Sequence, residues 1–194
     1  MVQAEREALR QELAGADNKV SQQAVLARAG DLLREAVADR LAPHWYGTPW
    51  DFNGTTETPG EGAIACGYFV TTLLRDAGVK LERVRLAQQA SERIILALVD
   101  RTAVKRFSDA PIARFVTAVE DWGPGLYIVG LDCHVGFIVH DGREIRFLHA
   151  SYVPPSCAVS EPALTSPVLA ASRYRVLGKL TGHKPLLEAW LQGE

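Results

Sequence analysis

Apolar residues recur at helical spacing through the N-terminal part of the chain. This periodicity predicts helices over residues 2–14 and 21–41, the second capped by Ser21 and ending near Pro43. The apolar residues on one broad side of the second helix are Val25, Leu32, Leu33, Val37 and Leu41. Residues 1–42 are therefore predicted to form an N-terminal helical layer.

Residues 43–65 have no regular period and mix aromatic residues with Gly, Pro, Asn and Thr. Loops of this length are uncommon in compact domains and are often functional. Helical spacing returns at Cys66 and ends near Gly78. The residues that share one face of this helix are Phe69, Val70, Leu73 and Leu74. Cys66 is therefore expected in the first turn of a helix.

Strand-forming residues dominate the second half of the chain, after two further predicted helices over 86–99 and 109–121. Asp141-Gly142 is a strong signal for a two-residue hairpin loop. The predicted strands are 126–131, 134–140, 144–149 and 173–180, and a last helix is predicted over 185–192. Helices followed by an antiparallel sheet predict an α+β fold, and we expect one domain over 1–194.

Composition excludes several classes of protein. Hydrophobic residues make up 47% and charged residues 23% of 194 residues, which is typical of a globular chain and not of a disordered one. The net charge of -2 offers no broad positive field, so no nucleic-acid partner is expected. No apolar run approaches the ~20 residues of a membrane span. Residues 1–10 resemble no secretory signal, so we expect a cytoplasmic protein, or an exported one if a leader precedes this sequence.

Cys66 is the first candidate for chemistry. The three cysteines are too few for a disulfide scaffold, and their odd number leaves at least one thiol free or paired between chains. The first turn of a helix presents unpaired N–H groups and the positive end of the dipole, which favour a thiolate. The same N–H groups can hold the oxyanion of a tetrahedral intermediate. Cys66 is therefore the predicted nucleophile.

Two histidines are predicted to meet on neighbouring strands. If Asp141 and Gly142 form the whole loop, His140 faces Arg143 and, further from the turn, His134 faces His149. Direct cross-strand neighbours have Cβ atoms about 4.5 to 5.5 Å apart. An imidazole base needs a partner that fixes its tautomer and orientation. We therefore expect His134 to be the base and His149 to orient it.

Other chemistries remain open at this point. Cys133, His134 and His149, with Asp132, are an alternative set of metal ligands, although tight ligand pairs such as Cys-x-x-Cys are absent from the sequence. Cys133 is a rival nucleophile, but in a strand it lacks the helix terminus and points away from His134. Cys157, in a Pro-Pro-Ser-Cys loop, is expected to be a bystander thiol. His44 and His140 are expected to be solvated polar residues, with substrate contact as an alternative for His44 beside the aromatic loop.

Three segments resemble the NlpC-type cell-wall peptidases, a papain-like superfamily with the chain order Cys, His and a third polar residue. The segments are Ala-Cys-Gly-Tyr-Phe-Val at 65–70, His-Val-Gly-Phe-Ile-Val at 134–139 and Phe-Leu-His-Ala-Ser at 147–151. The resemblance covers about residues 45–150. It implies a papain-like fold in which the nucleophile helix packs on a central antiparallel sheet that carries both histidines. The catalytic core would be 43–150, followed by a C-terminal strand and helix in 151–194.

The resemblance also suggests how substrate is bound. Tyr46 matches a tyrosine that helps to hold the oxyanion or substrate in that family. Ala65 and Gly67 stand where the family commonly has Asp and Ser, so the usual γ-D-glutamyl specificity is not expected to carry over. The aromatic residues that either line a substrate cleft or anchor the loop are Trp45, Trp50 and Phe52.

The sequence thus predicts a cysteine hydrolase that cleaves an amide bond through Cys66, His134 and His149 and an acyl-enzyme. The expected substrate is a peptide or cell-wall fragment, with no cofactor and no metal. The alternatives are a non-catalytic papain-like binding module and an acyltransferase or deamidase on the same site. The sequence assigns neither the oligomeric state nor the amide bond that is cut.

Overall fold

The computed structural model describes residues 2–193, which form nine α-helices and one six-stranded sheet. The helices are α1 (Val2–Ala14), α2 (Lys19–Glu35), α3 (Ala42–Trp45), α4 (Cys66–Asp76), α5 (Arg83–Ala87), α6 (Ser91–Leu98), α7 (Ile112–Trp122), α8 (Pro167–Ala171) and α9 (Lys184–Gln192). The strands are β1 (Val104–Ser108), β2 (Gly125–Gly130), β3 (Val135–His140), β4 (Ile145–Ala150), β5 (Ala158–Pro162) and β6 (Tyr174–Lys179). No helix within residues 2–193 is long and apolar enough to cross a membrane.

The α+β prediction is confirmed. The strand order is β1-β6-β2-β3-β4-β5, and every neighbouring pair is antiparallel. The two outermost strands, β1 and β5, were not predicted. Their sequences, Val-Lys-Arg-Phe-Ser and Ala-Val-Ser-Glu-Pro, carry the charged residues and proline that are typical of sheet edges and lack a clear apolar alternation.

The predicted start and end of the second helix need correction. Asn18, not Ser21, caps α2: its side chain accepts the N–H groups of Val20 and Ser21, and the Ser21 hydroxyl completes a capping box. The helix does not stop at Pro43 either. It continues through a π-helical segment, Ala36–Leu41, into α3, where Pro43 lies in the first turn and needs no N–H partner.

The predicted helix over 86–99 is two shorter helices. The chain leaves α5 after Ala87 and passes through Ala90, whose backbone is extended, before α6 begins at Ser91. Ala90 therefore interrupts the helix although its neighbours favour one. The predicted helices over 2–14, 109–121 and 185–192 are confirmed as α1, α7 and α9 with small shifts at their ends.

The sheet separates two apolar layers. On one side α4 packs against β3 and β4, with Phe69 and Val70 next to Phe137 in the larger cluster of buried residues. On the other side, Phe115 of α7 joins a second cluster that includes Phe147 of β4. Alternate residues of each strand enter the two clusters, as the period of two in a strand requires. Helix α4, which begins at Cys66, thus packs on one face of the sheet only.

Candidate functional site

His134 and His149 are hydrogen-bonded to each other. Nε2 of His134 lies 2.9 Å from Nδ1 of His149. The two side chains are buried, with 3% and 0% of their surface exposed. His134 directly precedes β3, and His149 lies near the end of β4. Both rings contact Phe147, so they lie on the sheet face opposite to α4.

The predicted hairpin register is wrong by two residues. His140 pairs with Ile145 and not with Arg143, because the loop comprises residues 141–144. The carboxylate of Asp141 accepts the N–H groups of Arg143 and Glu144, and Gly142 adopts a φ of 92°. A shift of two residues keeps every side chain on its original face. The two histidines are therefore same-face neighbours, although not directly opposite each other.

Packing around His149 fixes its ring. The Phe147 ring stacks on it at a centroid distance of 3.9 Å and an interplanar angle of 18°. Gly136 leaves room for this arrangement, since a Cβ there would lie 2.8 Å from the Cβ of His149. On the far side of the ring, Nε2 of His149 lies 3.3 Å from Oε1 of Glu161. Sequence reasoning missed Glu161, because β5 itself was not predicted.

Burial controls the charge of this pair. It lowers the pKa of His134, and the neighbouring His149 lowers it further. Burial also lowers the pKa of His149, against the opposing effect of the hydrogen bond to Glu161. That hydrogen bond lowers the pKa of Glu161. At neutral pH the arrangement is two neutral imidazoles followed by a carboxylate.

A cavity of about 820 Å³ brings the candidate nucleophile to the histidines. Its wall contains Cys66, Cys133 and His134, while His149 lies behind His134. The aromatic residues in the wall are Trp50, Phe52, Tyr68 and Tyr152. A cavity of this size accommodates part of a peptide.

Two opposing effects act on the pKa of the Cys66 thiol. Burial raises its pKa and outweighs the N–H groups of Val135, Gly67 and Cys66 itself, which act in the opposite direction. The N–H groups at the start of α4 thus act in the direction predicted from the helix terminus, and burial opposes them. Within residues 2–193, no hydrogen bond joins Cys66 to His134. The resting pair is a neutral thiol and a neutral imidazole in one cavity.

The aromatic candidates separate into two groups. Trp50 and Phe52 line the cavity. Trp45 is 2% exposed and packs edge-to-face on Phe69 in the core, and Tyr46 is 41% exposed; neither belongs to the cavity wall. Trp45 is thus one of the aromatics that anchor the loop.

Tyr152 lies in the cavity wall beside His134. Its ring centroid is 5.2 Å from that of His134 and 6.1 Å from that of Trp50. Burial, with smaller effects from Cys133, Asp132 and Cys66, raises the pKa of Tyr152, so its hydroxyl remains a hydrogen-bond donor. Sequence reasoning missed Tyr152, although its position three residues after His149 was a usable signal.

The close packing of α5 explains why position 67 is a glycine. A Cβ at this position would clash with the carbonyl oxygen of Ala87, at the end of α5. The serine that commonly follows the nucleophile in NlpC-type peptidases is therefore excluded by the close approach of α5. The segment that follows, 88–90, forms part of the cavity wall. The cavity wall next to Gly67 thus differs from the Asp-Cys-Ser-Gly pattern of the family that the sequence resembles.

The alternative ligand set is not assembled. No three His, Cys, Asp or Glu residues within 2–193 are arranged to hold a metal ion. The carboxylate of Asp132 instead accepts hydrogen bonds from the start of β6 and the residues before it. Cys133 is exposed in the cavity and remains a rival nucleophile, whereas Cys157 lies outside the cavity wall.

The other histidines differ from each other. His44 is exposed, as expected. His140 is buried rather than solvated, and its Nδ1 accepts the N–H of Gly142 in the hairpin loop. Its role is therefore to hold the turn between β3 and β4.

Comparisons of the chain with protein-family models, with curated proteins and with solved structures found no match. Function must therefore be inferred from the residues and their geometry.

Proposed function

We propose that this chain is a cysteine hydrolase with a papain-like, NlpC-type fold, and that it cleaves an amide bond through an acyl-enzyme on Cys66. The observation that carries the proposal is the hydrogen bond that joins His149 to His134, because His134 lines the cavity whose wall also contains Cys66. A base oriented by a second side chain, beside a nucleophile in a cavity, is the arrangement that acyl transfer requires.

The reaction starts from neutral groups. The ring nitrogen of His134 that is not bonded to His149 accepts the thiol proton while sulfur attacks the carbonyl carbon. The carbonyl oxygen becomes negative, and N–H groups at the start of α4 can donate to it. His134 then returns the proton to the departing amine. Water hydrolyses the thioester with His134 again as the base, which restores the thiol.

The cavity wall indicates which part of a substrate enters. Among the described residues that line it, none is Lys or Arg. A carboxylate or phosphate placed there would be desolvated without a cationic partner, which is unfavourable. Aromatic rings and the amides of Asn53, Gln88 and Gln89 suit an uncharged peptide segment. The wall also contains the carboxylate of Asp132, so we propose a peptide or cell-wall fragment whose segment next to the cleaved amide carries no anionic group.

The test is a cleavage screen with matched cysteine variants. Neutral peptides and peptidoglycan fragments are incubated with wild type, Cys66→Ala and Cys133→Ala, and products are identified by mass spectrometry. We expect Cys66→Ala to lose activity by several orders of magnitude and Cys133→Ala, a variant in the same cavity, to retain most of it. A wild-type acyl adduct on Cys66 would support the same mechanism.

Two results would contradict the proposal. If Cys66→Ala cleaves as fast as wild type, Cys66 is not the nucleophile. If Cys133→Ala alone is inactive, the rival cysteine carries the reaction.

A further inference from the structure

Glu161 extends the histidine pair into a chain of three side chains. It lies on β5 and pairs with Phe147 of β4 in the sheet. Its Oε1 is 3.3 Å from Nε2 of His149, and Nδ1 of His149 is 2.9 Å from Nε2 of His134. The chain runs from the partly exposed carboxylate, through the fully buried ring, to the cavity wall.

The carboxylate at one end of this chain determines which ring nitrogen of each histidine carries a proton. An ionised carboxylate only accepts hydrogen bonds, so Nε2 of His149 must carry the proton. A neutral imidazole has one N–H, so Nδ1 of His149 is a bare acceptor and receives the Nε2–H of His134. Nδ1 of His134 is then unprotonated. It is the atom that a general base needs.

The expected charges of the three side chains agree with these proton positions. Burial lowers the pKa of both histidines, so each ring carries a single N–H at neutral pH. The hydrogen bond to His149 lowers the pKa of Glu161, so its carboxyl is ionised. Phe147, whose ring stacks on that of His149, has no polar atom that could compete for the hydrogen bonds of His149.

We propose that Glu161 is a positioning residue that holds both histidines in the tautomer protonated at Nε2 and so leaves Nδ1 of His134 free as a base. The assignment of the tautomers stands on the three side chains alone, whereas its catalytic consequence rests on the proposed function. Glu161 also becomes the counter-charge when His134 takes up the thiol proton, because the positive charge is shared along the chain.

The tautomers can be measured without a substrate. Long-range ¹H–¹⁵N correlation spectra of ¹⁵N-labelled protein distinguish Nδ1–H from Nε2–H in each histidine side chain. The variants are Glu161→Ala, which removes the acceptor, and Glu161→Gln, whose carbonyl oxygen can still accept. Glu144→Gln is the matched control, because Glu144 lies in the exposed hairpin loop and bonds to Arg146.

We expect Nε2–H on both His134 and His149 in wild type, Glu161→Gln and Glu144→Gln. In Glu161→Ala we expect a mixture of tautomers and a kcat for hydrolysis that is lower by at least about tenfold, with KM little changed. An Nδ1–H on either histidine in wild type would overturn the proposal, and so would an unchanged spectrum in Glu161→Ala. If Glu161→Ala does not fold, the wild-type and Glu161→Gln spectra decide the assignment.

Failure of the two proposals can be told apart. A protein that cleaves no tested peptide, with spectra as expected, would contradict the proposed function and leave the tautomer assignment supported. Cleavage that depends on Cys66, in a protein with Nδ1–H on either histidine, would do the reverse.

Discussion

Acidification should destabilise the folded protein through its buried histidine pair. Burial lowers the pKa of His134 and of His149 below the ordinary value. In the unfolded chain both titrate near a pKa of about 6.5. As the pH falls below that value, the unfolded chain binds protons that the folded protein refuses. The stability is therefore fully present above the unfolded pKa and is lost below it.

The size of the effect follows from proton linkage. Between about pH 7.5 and about pH 5.5, a histidine that stays neutral in the folded protein costs about 1.4 kcal/mol of unfolding free energy. For His134, whose pKa is lowered to about 3, this loss is an appreciable part of the roughly 5–15 kcal/mol that is typical of folded domains. Both side chains are almost fully buried, so solvent screening reduces this figure little.

Urea unfolding at the same two pH values measures the loss. Wild type is compared with His134→Gln, and His44→Gln is the matched control because His44 is exposed. Titrating groups that do not contact residue 134 contribute equally to all three proteins, so the difference between them reports His134 together with its effect on the hydrogen-bonded His149. We expect His134→Gln to lose about 1.4 kcal/mol less than wild type on acidification, and His44→Gln to behave as wild type. Equal pH dependence in wild type and His134→Gln would refute the reasoning.

Two further outcomes test the packing of the site. Burial raises the pKa of the Cys66 thiol, so iodoacetamide should label Cys66 appreciably only above about pH 8.5, where an ordinary cysteine ionises. Mass spectrometry follows the labelling. Fast labelling near pH 6 would contradict a neutral resting thiol. Gly67→Ala should lower the unfolding free energy by about 1–3 kcal/mol and reduce hydrolysis, because its Cβ must displace Ala87. Gly15→Ala, where a Cβ meets only ordinary contacts, is the control, and equal stability of the two variants would show that α5 yields freely.

It was predictable that His134 and His149 share one face of the sheet. This depends only on whether the strand pairing shifts by an even or an odd number of residues, and not on the exact register. A loop of four residues instead of two moved the strands by two positions, and both side chains stayed on one face. A loop of three residues would have separated them. The place of Cys66 in the first turn of a helix was also predictable, since Cys66 begins α4. Local signals were therefore sufficient for the three central residues.

Glu161 and Tyr152 depend on contacts that local signals do not report. Glu161 reaches His149 only because β5 pairs with β4, and β5 is a polar edge strand with little apolar alternation. The aromatic loop presented the same difficulty. Trp45 and Trp50 are five positions apart in one irregular segment, and only tertiary packing sends one into the core and the other to the cavity.

If Cys66 and His134 are both neutral at rest, the groups around them must stabilise charges that form only during the proposed reaction. In an active site that already holds a thiolate and an imidazolium, the counter-charge acts equally on ground state and transition state. Here burial raises the pKa of the Cys66 thiol and lowers that of His134, so in the proposed reaction both charges form only as the reaction proceeds. Interactions that strengthen only then raise kcat rather than substrate affinity.

We expect the charge of Glu161 to stabilise the transition state of the proposed reaction more than the ground state. Its carboxylate accepts the same N–H of His149 before and after His134 takes up a proton, but it meets a positive charge only afterwards. Glu161→Gln preserves the acceptor and removes the charge, so it should keep the tautomers and the KM of wild type while kcat falls. A variant with unchanged kcat would mean that the carboxylate only orients the ring, and a raised KM would mean that its charge already acts on the bound substrate.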